Sequence, residues 1–203
     1  MKRKPIVAIV GRPNVGKSTF VNRLAGSRNS IVDDQPGVTR DRIYFDVEWQ
    51  NRKFTVIDTG GIIPDEETDI MVSIFDQAKI ACEEADKIVF IVDGKSGINP
   101  VDYDIANILR QSGKPILLAV NKLDNPNSLL MVSDFYALAL GEPVAISALH
   151  GNAGVGDLLD LITEDFEVDL EDEEEDTRIR IAIAGRPNAG KSSIVNALLN
   201  EDR

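Results

Sequence analysis

Gly11-Arg12-Pro13-Asn14-Val15-Gly16-Lys17-Ser18 follows the apolar run Ile6-Val7-Ala8-Ile9-Val10 and precedes Phe20-Val21-Asn22-Arg23-Leu24, whose apolar residues are helically spaced. That order predicts a strand, a glycine-bearing turn and a helix. The pattern G-x-x-x-x-G-K-[ST] in that context is a phosphate-binding loop. Its backbone N–H groups form a nest for anionic oxygens, and the positive end of the helix dipole faces the same place. Lys17 adds a mobile positive charge, and Ser18 offers a hydroxyl suited to Mg2+. With Thr19, the candidate phosphate-binding residues are Gly11, Arg12, Pro13, Asn14, Val15, Gly16, Lys17, Ser18 and Thr19. The same eight-residue pattern returns 174 residues later, with Gly185, Asn188, Gly190, Lys191 and Ser192 in the corresponding places and Ala189 where the first copy has Val15.

The segments between the two copies alternate between strand and helix patterns. Residues 42–49 and 54–58 flank Asn51-Arg52 and predict an antiparallel hairpin. Helices are expected at 17–25, 69–84, 100–111, 128–140 and 155–162. Lys87-Ile88-Val89-Phe90-Ile91-Val92-Asp93 and Pro115-Ile116-Leu117-Leu118-Ala119-Val120 are nearly all apolar, as in buried parallel strands, and 144–146 is a short further strand. The expected fold class is α/β, a phosphate-loop NTPase with a mostly parallel sheet, helices on both faces and one antiparallel edge hairpin. In such sheets ligands bind at the carboxyl ends of the strands, where the motif residues fall.

Composition narrows the classes. The net charge of −12 is concentrated in residues 164–176, which hold ten acidic groups and no basic one; the rest carries 24 acidic and 22 basic residues. The body has no basic stripe, so no DNA partner is expected. The one cysteine, Cys82, rules out an intramolecular disulfide framework and fits a cytoplasmic setting. No apolar stretch approaches the ~20 residues of a membrane span. Three regions are expected: a first domain at 1–163, an extended acidic linker at 164–176, and the opening of a second domain at 177–203. A tail of that size cannot bury a core alone, and the sequence reads as a fragment of a longer protein.

Asn121-Lys122-Leu123-Asp124 at the end of a buried strand selects the base. Guanine presents N1–H and N2–H2 side by side, and one carboxylate accepts from both; adenine offers no such pair. Asp124 is the candidate for that contact. Asn121 can bond guanine N7 and tie loops together, and the stem of Lys122 can stack over the base. Ser147, Ala148 and Leu149 would complete the pocket, with a backbone N–H to guanine O6. Ser18 and Thr39 supply hydroxyls to Mg2+, Asp58 holds the ion through water, and Gly60 or Gly61, next to Thr59, donates to a γ-phosphate. Release of Thr39 and the Gly60-Gly61 loop on hydrolysis is a switch. Trp49 is expected to pack at a strand end, Cys82 to be an unreactive helix residue, Arg12 to point to solvent or a partner, and His150 to lie on a surface loop.

Residues 1–162 resemble a Ras-like GTPase domain (G domain) of the translation-factor-related class. Gly-Arg-Pro-Asn at the phosphate loop and Pro36-Gly37-Val38-Thr39-Arg40-Asp41 resemble its Era-like branch. Two such domains joined by an acidic linker resemble the double-Era-like GTPase family. The resemblance implies binding of GTP and GDP, Mg2+-dependent hydrolysis of GTP, and a role in assembly of the bacterial large ribosomal subunit, with that subunit or its RNA as partner. The sequence departs from Ras at Ile62, where a water-orienting glutamine would stand. Either hydrolysis is slow, which favours a nucleotide-sensing module, or another positive charge substitutes. In relatives activated by K+ the loop asparagine helps coordinate the ion, and Asn14 matches it.

Overall fold

The computed structural model describes residues 3–26, 43–58, 70–124, 126–150 and 154–168. All lie in the first of the two units into which the chain divides, Met1–Asp169 and Leu170–Arg203. Thr39, the segment from Thr59 to Ile62, most of the acidic tract and the second phosphate-loop pattern fall outside the described residues.

The elements follow in the order β1 (Ile6–Val10), α1 (Lys17–Ala25), β2 (Ile43–Trp49), β3 (Arg52–Asp58), α2 (Ile70–Glu84), β4 (Lys87–Asp93), α3 (Pro100–Gln111), β5 (Ile116–Asn121), a 3-10 helix (Pro126–Leu138), β6 (Val144–Ala145) and α4 (Val155–Thr163). They form one six-stranded sheet of order β2-β3-β1-β4-β5-β6. β2 and β3 are antiparallel, and every other pairing is parallel. The expected α/β class, edge hairpin and parallel body are present.

Alternation along the strands sends successive side chains to opposite faces. Val7, Ile9, Val56, Val89 and Ile91 pack with Phe20 and Leu24 of α1 and Leu158 and Ile162 of α4. Ala8, Val10, Ile88, Phe90 and Val92 face the other way, onto Ile74 and Ala78 of α2, Ile105 and Leu109 of α3, and Phe135. All seven residues of β4 are buried, as a central strand covered on both faces requires. No helix among the described residues is long and apolar enough to cross a membrane.

Three expectations change. The hairpin turn is Gln50-Asn51 rather than Asn51-Arg52: both turn residues have left-handed φ values of 48° and 61°, and Arg52 already pairs with Trp49. That is the backbone of the two-residue turn that matches strand twist. The helix expected at 128–140 is a 3-10 helix at Pro126–Leu138. Its inward residues Val132, Phe135 and Leu138 recur at intervals of three, which aligns them on one face at three residues per turn. The acidic segment does not begin extended. Phe166 packs on Phe54 with ring centroids 5.8 Å apart, and Asp165 accepts from the buried Lys87 Nζ at 2.8 Å. Lys87, 3 % exposed, needs such partners to be inside at all. Trp49 does sit at its strand end, donating to Asp160 Oδ1 at 2.7 Å, and Cys82 is half-buried on α2, where burial pushes its thiol pKa up.

Gly154 and Gly113 share φ near +70°, but a Cβ on Gly154 would stand 1.8 Å from Ala145 O, whereas Gly113 has open space. Gly113→Ala should therefore cost about 1–2 kcal/mol from backbone strain alone. Gly154→Ala should cost clearly more, as urea unfolding of the two variants will measure.

Candidate functional site

The loop between β1 and α1 is bounded by two glycines that cannot be replaced without moving neighbours. A Cβ on Gly11 would lie 2.3 Å from Ile91 O, and one on Gly16 would lie 2.3 Å from Asn121 Nδ2. Gly16 caps α1 with φ 100°. Between them Asn14 takes φ 65°, a left-handed conformation that asparagine adopts more readily than most residues. The N-terminus of α1 has no side-chain cap and no acidic residue in its first turn. That leaves its N–H groups and positive dipole end to an external anion. α3 is the contrast: Asn99 and Asp102 close its N-terminus in a reciprocal capping box.

Lys17 is 8 % exposed and folds back over its own loop, donating to Gly11 O at 2.6 Å and Arg12 O at 3.0 Å. Burial lowers its pKa, and the charge of Asp58 works the other way. Asp58 ends β3, buried, in register with Ile9. Ser18 and Thr19 open α1 with exposed side chains.

Asn121 joins this loop to the segment 147–149 that follows β6. Its Nδ2 donates to Val15 O at 2.8 Å, and its Oδ1 accepts from Ala148 N–H at 2.9 Å. Of its two expected roles, tying loops is the one made here. The Ala148 N–H is thereby engaged by Asn121. Lys122 has φ 69° and sends Nζ to Asn14 O at 2.5 Å and to Asp93 Oδ2 at 2.8 Å. Asp124 accepts from Ser147 Oγ at 2.8 Å and Lys95 Nζ at 2.5 Å. These two donors hold its pKa below the ordinary carboxylate value. Leu149 and His150 are exposed beside it, with His150 Nε2 3.8 Å from Asp124 Oδ1.

Arg12 does not point to solvent. Its side chain is 18 % exposed, its Nε lies 3.3–3.4 Å from both oxygens of the fully buried Asp102, and Nη2 donates to Ser96 Oγ at 2.6 Å. It braces the phosphate loop against the start of α3. Burial raises the Asp102 pKa, and the Asn99 N–H and the Arg12 charge oppose that rise. Two more site residues carry no motif. Asp93 accepts from Lys95 N–H and Ser96 N–H and holds Lys122, and these bonds outweigh its burial to lower its pKa. Arg23 of α1 donates to Ala148 O at 2.7 Å and Leu149 O at 2.6 Å, pinning the last loop.

The loop 11–19, Asp58, Asn121-Lys122-Asp124 and Ser147-Ala148-Leu149 thus converge at the carboxyl ends of β1, β3, β5 and β6. A family model described as "50S ribosome-binding GTPase" matches residues 6–122 and 180–203. The chain belongs to the 50S ribosome-binding GTPase family. It is 56 % identical over 200 residues to GTPase Der of Clostridium tetani, and 55 % over 205 residues to GTPase Der of Ruminiclostridium cellulolyticum. Each match covers 98 % of this chain and 45 % of the relative, so the chain spans under half the length of the curated relatives it matches. Among solved structures, a variant of Aquifex aeolicus Era bound to GDP and AlF4− superposes with TM-score 0.64 at 34 % identity, covering 82 % of this chain and 58 % of that one. Era in complex with MgGDPNP and a 16S ribosomal RNA segment gives TM-score 0.62 at 29 % identity, covering 91 % and 60 %.

Asn121→Ala should destabilise the nucleotide-free protein by about 2–4 kcal/mol, because it strands the buried Val15 carbonyl and Ala148 N–H together. Urea unfolding without nucleotide measures this. A residue that served only the ligand would leave that midpoint unchanged.

Proposed function

We propose that this chain is a guanine-nucleotide switch that hydrolyses GTP to GDP and phosphate. The observation that carries the reading is the Asn121 link. It fastens the strand end bearing Asp124 directly onto the phosphate loop at Val15 and Gly16. A base reader and a phosphate cradle held as one unit suit a single nucleotide spanning both. A carboxylate with two oxygens in that place selects guanine, since a wrong base leaves it unpaired. Asp124→Asn should shift preference from guanosine to xanthosine nucleotides, whose extra carbonyl suits an amide donor. Competition binding with GDP and XDP measures this, and no shift would remove the base assignment.

Mg2+ fits the oxygen donors present. Ser18 presents an exposed hydroxyl at the start of α1, and Asp58 presents a carboxylate near Lys17. No group of three His, Cys, Asp or Glu side chains among the described residues forms a metal cage. Mg2+ is commonly held by one or two protein oxygens, phosphates and water. When bound, it would neutralise charge on the phosphates. The protein's own share is Lys17 and the α1 N-terminus, which hold the phosphates, and two sets of residues that we assign to the γ-phosphate and the switch: Thr39 before β2, and Thr59, Gly60, Gly61 and Ile62 after β3.

Ile62 offers no hydrogen bond to a water. We assign its missing role to K+ held beside Asn14, whose side chain is exposed while its carbonyl is occupied by Lys122. Single-turnover hydrolysis in KCl should be at least tenfold faster than in NaCl, and Asn14→Ala should remove the difference. Equal slow rates in both salts would favour the second reading that Ile62 supports, a nucleotide sensor with negligible turnover.

We read residues 177–203 as the opening of a second G domain, with 164–176 connecting the two. In that reading Gly185, Asn188, Gly190, Lys191 and Ser192 repeat the first phosphate-loop pattern. By its family we place the protein in the cytoplasm with the large ribosomal subunit or its RNA as partner.

A further inference from the structure

Both oxygens of the base-reading carboxylate are engaged, and their two partners differ in kind. Ser147 Oγ donates to Asp124 Oδ1 from a residue that is 1 % exposed. Its segment is tied down by Asn121 and Arg23. Lys95 Nζ donates to Oδ2 at 2.5 Å from a side chain that is 58 % exposed. The root of Lys95 is fixed, because its backbone N–H donates to Asp93 Oδ1 at 2.9 Å. Its four-carbon stem leaves the ammonium able to swing away into water.

A guanine edge brings two neutral N–H donors and asks for one oxygen each. Oδ1 keeps a lone pair beside the Ser147 bond. Oδ2 holds an ammonium, a charge-assisted contact stronger than a neutral N–H can make. The base and Lys95 therefore compete for the same oxygen. We propose that Lys95 is an affinity-setting latch on Asp124, holding Oδ2 in the nucleotide-free chain and displaced by the incoming guanine edge. The inference rests on the assignment of Asp124 as the base reader.

The latch keeps the carboxylate oriented and paired while the site lacks nucleotide, and it lowers the net gain on binding by the strength of one exposed ion pair. That gives the test an uncommon direction. General electrostatics predicts that removing a lysine near an anionic ligand weakens binding. The latch predicts the reverse. GDP titrations with Mg2+ on the 203-residue chain, comparing Lys95→Met with the unaltered protein, should show about 2- to 5-fold tighter binding by the variant at low salt. The advantage should shrink toward parity as salt screens the pair. Lys95→Arg, which keeps the charge, should stay near the unaltered protein. Equal or weaker binding by Lys95→Met at low salt overturns the latch. Asp124→Asn, titrated alongside with GDP and XDP, separates the two ideas. A GDP-to-XDP exchange with a flat Lys95→Met result removes the latch alone. If that exchange is absent, the base assignment fails and the latch with it.

Discussion

The approach of Asn121 to Gly16 is the contact on which the rest of the site depends. The asparagine amide sits where any Cβ on Gly16 would be. Its two polar ends are committed to the loop after β1 and the segment after β6. Gly16 is thus required twice over: by a left-handed φ at the α1 cap, and by the side chain pressed against it. Three pieces of chain, the first more than a hundred residues from the others, are tied into one body by the protein's own hydrogen bonds. Binding to a site of that kind has less ordering to do, which leaves more of the interaction energy as affinity.

The cations around that body are sorted by what neutralises them. Lys122 has Asp93, Arg12 has Asp102 and Lys95 has Asp124. Lys17 is bonded to two neutral carbonyls, Gly11 O and Arg12 O. Two of its three N–H donors are engaged there, while the charge of Asp58 acts on it at a distance. A buried ammonium in that condition loses part of its hold on the proton, and an anionic oxygen placed against it would restore that hold. The uncapped start of α1 lies in the same place. Lysine charge and helix dipole therefore call for one kind of ligand at one spot, and the capped start of α3 does not.

Local pattern made the strands and four of the helices legible, because a buried strand is read from its own run of apolar residues and a helix from its own spacing. The strand-turn-helix context of Gly11 to Ser18 and the strand-end position of Asn121 to Asp124 were legible for the same reason: both are written in adjacent residues. What sequence reading missed depends on partners far along the chain. Arg12 meets Asp102 across 90 positions, and Arg23 meets Ala148 across 125. No periodicity in α1 marks Arg23 as a tether. Asp93 was within reach, since an aspartate closing a buried strand ahead of Gly94-Lys95-Ser96 is a turn signal with its own hydrogen bonds. The 3-10 helix failed for a different reason. Apolar residues three apart also suit an α-helix, and only packing against the sheet decides between the two periods.

The two ends of the sheet do different work. Its carboxyl ends carry the loop 11–19, Asp58, Asn121-Lys122-Asp124 and Ser147-Ala148-Leu149, with Asp93 closing β4. Its opposite end carries Lys87, the first residue of β4, which holds Asp165, while Phe54 and Arg52 of β3 hold Phe166. Seven residues of strand separate Lys87 from Asp93 by about 20 Å at ~3.3 Å per residue. Residues 165–166 therefore sit at the opposite end of the sheet from the loop 11–19. Among the described residues, β4 links the two ends directly, and it is buried along its whole length. Close-packed interiors shift between discrete arrangements rather than deform gradually, so a signal along that route would move the strand and its covering helices together.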